Sequence, residues 1–338
     1  MLDVVELARR FIDIESITGN EAAMAAASAE VLRQIGFEAR LLEVAPGRAN
    51  VLATLDAPRV LLSTHLDTVP PHFPARDESD WLYGRGACDT KGILAAMLAA
   101  AERLLQEGVR DVGLLLVVGE ETDSAGAKHA NATLSLPSVT HTVVGEPTES
   151  KFARAQKGAF KLTLRARGRA AHSGYPQHGH SALRAMLDLL QRIEQAEWGE
   201  DAELGRATVN VGVLRAGRAA NVVPDEAEAQ VFIRVVDSAA AVRQRVERIV
   251  QPSGPSVEWR EEGSNDPQRW LTLPGEPETV VAFNTDAPFL TRFGQRLLVG
   301  PGSILVAHSS EERISKRELR AAVDLYHRTV LRLRTASG

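Results

Sequence analysis

Val60-Leu61-Leu62-Ser63-Thr64-His65-Leu66-Asp67-Thr68-Val69-Pro70 is the stretch that decides the fold. Its first half is a short run of Val and Leu, the composition of a strand buried on both faces within a parallel sheet. Its second half sets a His and an Asp two residues apart, where that strand must end. Open α/β sheets place ligand sites at the carboxyl ends of their strands, so chemistry is expected here. A neutral imidazole is the commonest metal ligand, and Asp67 is placed to accept from the other ring nitrogen of His65. A structural His held by a satisfied Asp reads the same way, so the pair alone leaves both possibilities open.

Outward from this strand, helical and strand patterns alternate through the first half of the chain. Helical spacing runs near 2–13 and 20–35, strands near 38–43, 50–55 and 59–64, a strong helix near 91–107, and apolar strands at 113–118 and 141–145. Such alternation predicts α/β architecture with a mainly parallel central sheet covered by helices. Near Gly158 the pattern changes, because Lys161-Leu162-Thr163-Leu164-Arg165-Ala166-Arg167 alternates with period two, as a half-exposed strand does. A helix near 179–196, strands at 208–214 and 226–236, a helix near 238–250 and a strand at 256–260 follow. That order is the split βαβ arrangement of a ferredoxin-like α+β module. After Asp266-Pro267 the parallel-sheet character returns, with Leu297-Leu298-Val299-Gly300-Pro301-Gly302 as strand and turn and an amphipathic helix over 316–334. The expected organisation is a discontinuous domain of 1–157 and 266–338 with an inserted domain of 158–265; the Pro/Gly stretch at 252–255 is a turn.

Composition narrows the function. A chain of 338 residues exceeds what one core usually supports, and 44% hydrophobic with 25% charged residues is ordinary for a globular protein. A net charge of -5 gives no basic footprint, which argues against nucleic acid or an anionic membrane as partner. The single cysteine, Cys88, rules out an internal disulfide framework and fits a reducing compartment. The first residues carry acids in helical spacing, unlike the basic start of a signal peptide, and no apolar run approaches the ~20 residues of a membrane helix. A cytoplasmic location is expected.

Four further segments carry chemistry. Trp81-Leu82-Tyr83-Gly84-Arg85-Gly86-Ala87-Cys88-Asp89-Thr90-Lys91-Gly92 puts a carboxylate in a glycine-rich loop before a helix, where Asp89 is either a ligand or a helix N-cap. Gly119-Glu120-Glu121 ends a buried strand with two adjacent acids, which repel one another unless a cation lies between them. Gly145-Glu146-Pro147-Thr148 repeats the device, and the turn-rich run from Val299 to Glu312 adds His308. Two divalent ions about 3.5 to 4 Å apart need one shared carboxylate, with a His and a carboxylate on each. The inventory meets that need.

Taken in order, His65-Leu66-Asp67, Gly86-Ala87-Cys88-Asp89-Thr90-Lys91-Gly92, Gly119-Glu120-Glu121, Gly145-Glu146-Pro147-Thr148 and His308 resemble the signature of a dizinc hydrolase family. That family contains acetylornithine deacetylase, succinyl-diaminopimelate desuccinylase, aminoacylases and glutamate-type carboxypeptidases. The resemblance covers nearly the whole chain, since the inserted module matches the family's lid and dimerisation domain. It implies a zinc-peptidase-like catalytic domain holding two zinc ions, with cobalt as an admissible substitute. It assigns His65 and Glu146 to one ion, Glu121 and His308 to the other, and Asp89 to both. Glu120 would then be the general base and Asp67 would orient His65.

In the insertion, Gly168-Arg169-Ala170-Ala171-His172-Ser173-Gly174-Tyr175-Pro176 presents His172, similar to the family's histidine that reaches the oxyanion from a lid or a partner subunit. Asn221 and Arg234 resemble lid residues that contact substrate, the planar guanidinium suiting a carboxylate, and Gly302 is expected on the substrate side as well. His178 and His180 read as surface residues. The implied reaction is hydrolysis of the amide bond of an N-acyl amino acid: N-acetylornithine, in arginine biosynthesis, or N-acetylcitrulline or N-acetyl-lysine. A homodimer through the lid is implied too. Desuccinylase and dipeptidase or carboxypeptidase activities are rivals within the same chemistry. A metal-binding module without turnover is the rival of another class, and Glu120 argues against it.

Overall fold

The computed structural model describes residues 1–254 and 256–335, so one position of the 252–255 turn and the last three residues of the 266–338 span lie outside the described residues. The chain begins with α1 (Val4–Ile12), α2 (Ala22–Gln34), β1 (Glu38–Ala45), β2 (Arg48–Thr54) and β3 (Val60–His65). Short strands β4 (Arg76–Glu78) and β5 (Trp81–Tyr83) precede α3 (Lys91–Gln106), and β6 (Val112–Val117), α4 (Ala125–Thr133), β7 (His141–Val144) and β8 (Phe152–Gln156) follow. Next come β9 (Gly158–Arg167), α5 (Ala182–Gln195), the small hairpin β10 (Glu200–Asp201) and β11 (Gly205–Arg206), β12 (Thr208–Ala216) and β13 (Glu226–Val235). The remainder is α6 (Ala239–Val250), β14 (Val257–Asn265), β15 (Gln268–Arg269), β16 (Glu278–Val281), β17 (Gln295–Leu298), β18 (Arg313–Ser315) and α7 (Lys316–Thr335). Two compact units emerge: one of Met1–Arg154, Trp270–Thr279 and the described residues from Thr285 on, the other of Ala155–Arg269 and Val280–Asn284.

The first unit holds a six-stranded sheet in the order β1-β2-β6-β3-β7-β17. The pairs β6/β3, β3/β7 and β7/β17 are parallel, whereas β1/β2 and β2/β6 are antiparallel. Three of the five pairings are thus parallel, the mainly parallel character that the alternation of helices and strands predicts, and one edge of the sheet is antiparallel. The cause is local: β1 and β2 are joined by Pro46 and Gly47 alone, and a connection that short permits only antiparallel pairing. Strands β3, β6 and β7 are buried along their whole length, which is why each carries a run of Val or Leu. Helix α3 is buried nearly all round from Lys91 to Leu104 and packs against α1 and α7, its alanines allowing close approach.

The second unit carries a four-stranded antiparallel sheet in the order β12-β13-β9-β14. That is the ferredoxin-like order the spacing of its elements predicts. Helices α5 and α6 share a core with Leu162, Leu164, Ala229, Val231 and Ile233 of this sheet, while Lys161, Arg165 and Arg167 alternate to the exposed side. Among the described residues no helix is long and apolar enough to cross a membrane.

Since Leu98 of α3 is fully enclosed, Leu98→Ala is expected to lower stability by about 2 to 5 kcal/mol through lost burial and the cavity left behind. The exposed Leu41 of β1 supplies the contrast: Leu41→Ala should stay within about 0.5 kcal/mol of the parent in urea denaturation.

Candidate metal centre

Parallel strands end on the same edge of a sheet, and four of them bring candidate groups there. His65 closes β3 and Asp67 follows it; Gly119-Glu120-Glu121 follow β6, Glu146 follows β7, and His308 lies between β17 and β18. Because β3 sits between β6 and β7, at a strand spacing of about 4.8 Å, His65 has the Glu120-Glu121 turn on one side and Glu146 on the other. Asp89 arrives from the loop before α3. The N-cap of that helix is Thr90, so Asp89 is not spent as the helix cap that its type and position allowed.

Asp89 faces two imidazoles, one with each oxygen: Oδ1 lies 3.1 Å from His65 Nε2 and Oδ2 lies 3.2 Å from His308 Nε2. His308 Nε2 is also 3.0 Å from a Glu121 oxygen. Ligand atoms of His65, Asp89 and Glu121 all lie within 4.8 Å of one another, close enough to hold one cation, and Asp89 has the geometry of a carboxylate that two cations could share. His308 holds a left-handed backbone with φ 61, which a non-glycine residue keeps only where its surroundings impose it.

Electrostatics show what this arrangement lacks on its own. Burial opposes charge on His65, but hydrogen bonds with Asp67 and Asp89 outweigh it and hold the imidazole pKa well above its ordinary value. Asp89 and Glu121 push His308 up to about 10. Burial raises Glu120 and Glu146 well above the usual carboxylate range; the charges of Glu146 and Asp286 push Glu120 the same way, and those of Asp89 and Asp286 push Glu146. Glu121 is raised by burial against the pull of His308, and Asp286 reaches about 7, again mainly through burial. Asp89 moves the other way: burial would raise it, but the two imidazoles hold it below the usual range. The cluster is thus rich in acids that ionise only against resistance, and cations are the charge it is built to take.

Two further carboxylates organise the backbone around it. Asp67 Oδ1 accepts from the N–H groups of Gly119 (3.0 Å) and Glu120 (3.1 Å), and Oδ2 accepts from Glu121 N–H (3.2 Å) and Thr18 Oγ1 (2.7 Å). The nearest acceptor for His65 Nδ1 is the main-chain oxygen of Asp67 at 2.9 Å, with the carboxylate at 3.5 Å. Asp67 therefore holds the Glu120-Glu121 turn as much as it faces His65. Glu312 does the same for the Asp89 loop, with its carboxyl pushed up to about 7 by burial and by the charge of Asp89. Neither Glu312 nor Asp286 stands out in the sequence, since the groups that each affects lie far away along the chain. Gly302 packs on that same loop: at φ +86, a Cβ there would meet Cys88 Cβ at 2.6 Å. Its N–H donates to Glu318 Oε1 at 2.9 Å and its carbonyl accepts from Glu149 N–H at 2.8 Å.

The remaining candidates belong to the second unit. His172 is exposed, and its Nδ1 accepts from Gly174 N–H at 3.1 Å, which leaves the proton of a neutral ring on Nε2. Ser173 N–H donates to the Asn221 carbonyl at 3.0 Å, so His172 and Asn221 lie in adjoining segments. Arg234, on β13, sets its guanidinium 4.4 Å from the centre of the Phe232 ring. His178 and His180 are exposed.

In protein stripped of cations, the protonated form of His308 stabilises the fold fully below its unperturbed pKa of 6.5, and this contribution is lost as pH rises through about 10. The urea midpoint of EDTA-treated protein is accordingly expected to fall between neutrality and pH 10, and to fall less in His308→Ala.

Residues 154–258 match the family described as peptidase dimerisation domain, and residues 50–144 match peptidase family M28. A peptidase M20 domain-containing protein of Schizosaccharomyces pombe is 34% identical, over 97% of this chain and 84% of its own length. A protein of Aspergillus fumigatus named probable carboxypeptidase is 36% identical over 95% of this chain and 84% of its own. The crystal structure of an M20 family metallo-carboxypeptidase from Sulfolobus solfataricus superposes with a TM-score of 0.81, covering 98% of this chain and 99% of that one, and at 17% identity the likeness is one of fold. With the dimerisation module matching where the second unit lies, and more than a third of positions shared along nearly the full length of a relative that carries the M20 domain, the chain belongs to the M20 peptidase family.

Proposed function

We propose that this metallopeptidase-family hydrolase cleaves the amide bond of an N-acyl amino acid, with N-acetylornithine, N-acetylcitrulline and N-acetyl-lysine as the substrates to try first. The observation that carries the reading is the placing of Glu120. It stands next to Glu121 in a turn held by Asp67, within reach of the charges of Glu146 and His65, and its burial favours a carboxyl able to take up a proton. Two zinc ions, or cobalt, suit the donor set because the buried acids lack compensating positive charge and each imidazole, on giving up its proton, offers a nitrogen ligand. His65 and Glu146 would hold one ion, Glu121 and His308 the other, and Asp89 both. Bound there, the ions would polarise the scissile carbonyl and make the attacking water more acidic.

The chain's own residues account for the remaining steps. Glu120 takes the proton of the attacking water and delivers it to the leaving nitrogen, so that a carboxylate and a free amine depart. His172, with its proton on Nε2, is suited to donate to the carbonyl oxygen as negative charge grows there. Arg234 offers two parallel donors to the substrate carboxylate, with Asn221 as a further polar contact. A homodimer through the second unit accords with the dimerisation-domain match. Cys88 as the single cysteine supports a reducing, cytoplasmic setting, and acetylornithine turnover would place the enzyme in arginine biosynthesis.

A second reading, removal of the C-terminal residue of a peptide, is favoured by the relative named probable carboxypeptidase. Both reactions cut an amide next to an amino acid with a free carboxylate, so they share the mechanism and differ in the acyl side. An amine-release assay on zinc-loaded protein separates them, run across the three acetyl amino acids, N-succinyl-diaminopimelate and a set of dipeptides. Glu120→Ala is expected to lose on the order of 10² to 10⁴ in kcat while keeping its metal content. His308→Ala should instead lose metal. Full activity in Glu120→Ala would sink the mechanism; bound zinc with no turnover of any amide would point to a binding module.

A further inference from the structure

We infer that Glu312, paired with Arg85, is a positioning residue that fixes the direction in which Asp89 points. The inference rests on the reading of Asp89 as a carboxylate shared by two ions. Asp89 can address His65 with one oxygen and His308 with the other only if its backbone is held in one orientation. Its loop lies between β5 and α3 and has no strand partner of its own. The loop's N–H groups converge instead on one oxygen of Glu312: Oε1 accepts from Gly86 (2.9 Å), Asp89 (3.2 Å) and Cys88 (3.3 Å). Oε2 accepts from Arg85 Nη1 at 2.6 Å, and both side chains of this pair are fully enclosed.

The carboxylate is itself well anchored. Immediately after Glu312, strand β18 pairs with β5, Arg313 opposite Tyr83 and Ile314 opposite Leu82, and Gly84 N–H donates to the Glu312 carbonyl at 3.1 Å. This register sets Glu312 against the start of the loop it holds. Arg85 is fixed from its other side by the Pro71 carbonyl at 3.2 Å and by the Phe73 ring at 4.9 Å. The loop has little room to relax: at Gly86, φ +89, an added Cβ would meet the Lys91 stem at 2.8 Å. Since Glu312 follows His308 by four residues, one short segment supplies an imidazole to Asp89 and also holds the backbone that aims Asp89 at it.

A neutral amide does not replace this carboxylate, because its NH2 would face either the converging N–H groups or the guanidinium. Supporting groups one step removed from a metal typically change its affinity 10- to 100-fold, so Glu312→Gln is expected to bind zinc about 10 to 100 times more weakly than the parent. The test is calorimetric titration of zinc into metal-free parent, Glu312→Gln, Glu312→Asp and Asp89→Asn, with circular dichroism to confirm folding and kcat and KM measured on the loaded proteins. A folded Glu312→Gln with weaker zinc binding and lower kcat at similar KM supports the role. Parental zinc affinity in that variant, even with a lower urea midpoint, shows a purely structural group and overturns it. Should Glu312→Gln fail to fold, Glu312→Asp, which keeps the charge but reaches fewer N–H groups, decides by the same affinity criterion. If the parent takes up no zinc, or Asp89→Asn binds it as the parent does, the reading of Asp89 as a ligand falls first and the positioning role falls with it.

Discussion

Too many negative charges at the end of one sheet is the condition under which the first unit is built. Asp89, Glu120, Glu121, Glu146 and Asp286 gather where water is largely excluded, and apart from Asp89 each of them is driven toward its neutral form. His65 and His308 meet part of the deficit by holding their protons. Such a concentration of acids destabilises a fold in isolation, and it persists where a bound cation turns the penalty into affinity. The rest of the unit keeps these groups from moving apart.

Parallel strands β6, β3, β7 and β17 deliver the chain ends to one edge, and the complete burial of β6, β3 and β7 leaves the middle of the sheet little freedom to shift and relieve the crowding. Fine placement then falls to backbone N–H groups held by buried carboxylates. Asp67 gathers residues 119 to 121 and Glu312 gathers residues 86 to 89. In each case an acid that is no candidate ligand immobilises a loop that carries one. Hydrogen bonds of this kind, charged acceptor to main-chain donor, are about twice as strong as neutral ones, and they act on the backbone, where a small rotation moves a side chain furthest.

Much of this was legible before any coordinates. Val60 to Thr64 and Gly113 to Val117 announce buried strands because each is a short run of Val and Leu without a charged residue, and each is followed within a few residues by its reactive group. The inserted ferredoxin-like order followed from period-two alternation in Lys161 to Arg167 and its neighbours. What escaped was set by contacts distant along the chain or by connection length. Glu312 holds residues more than two hundred positions earlier, so no local pattern marks it. Helix α4 is short, with a weak apolar face, and passed unnoticed beside the glutamates. The antiparallel edge of the main sheet was written in the two-residue Pro46-Gly47 connection, whose geometric force outweighs the alternation around it.

The order of the chain has a consequence for synthesis. The second unit is drawn almost wholly from one continuous stretch, 155 to 269, whereas the first waits for β17, the His308 segment and α7, all of which leave the ribosome afterwards. Domains fold as units as they emerge, and a sheet lacking an edge strand, with the α7-facing surface of α3 uncovered, exposes apolar surface until its last helix arrives. Until then Asp89 has neither its second imidazole nor the carboxylate that holds its loop. The nascent protein therefore passes most of its synthesis with an acidic, half-built pocket, and the five residues from His308 to Glu312 bring the second imidazole and the loop's anchor together, late and in one piece.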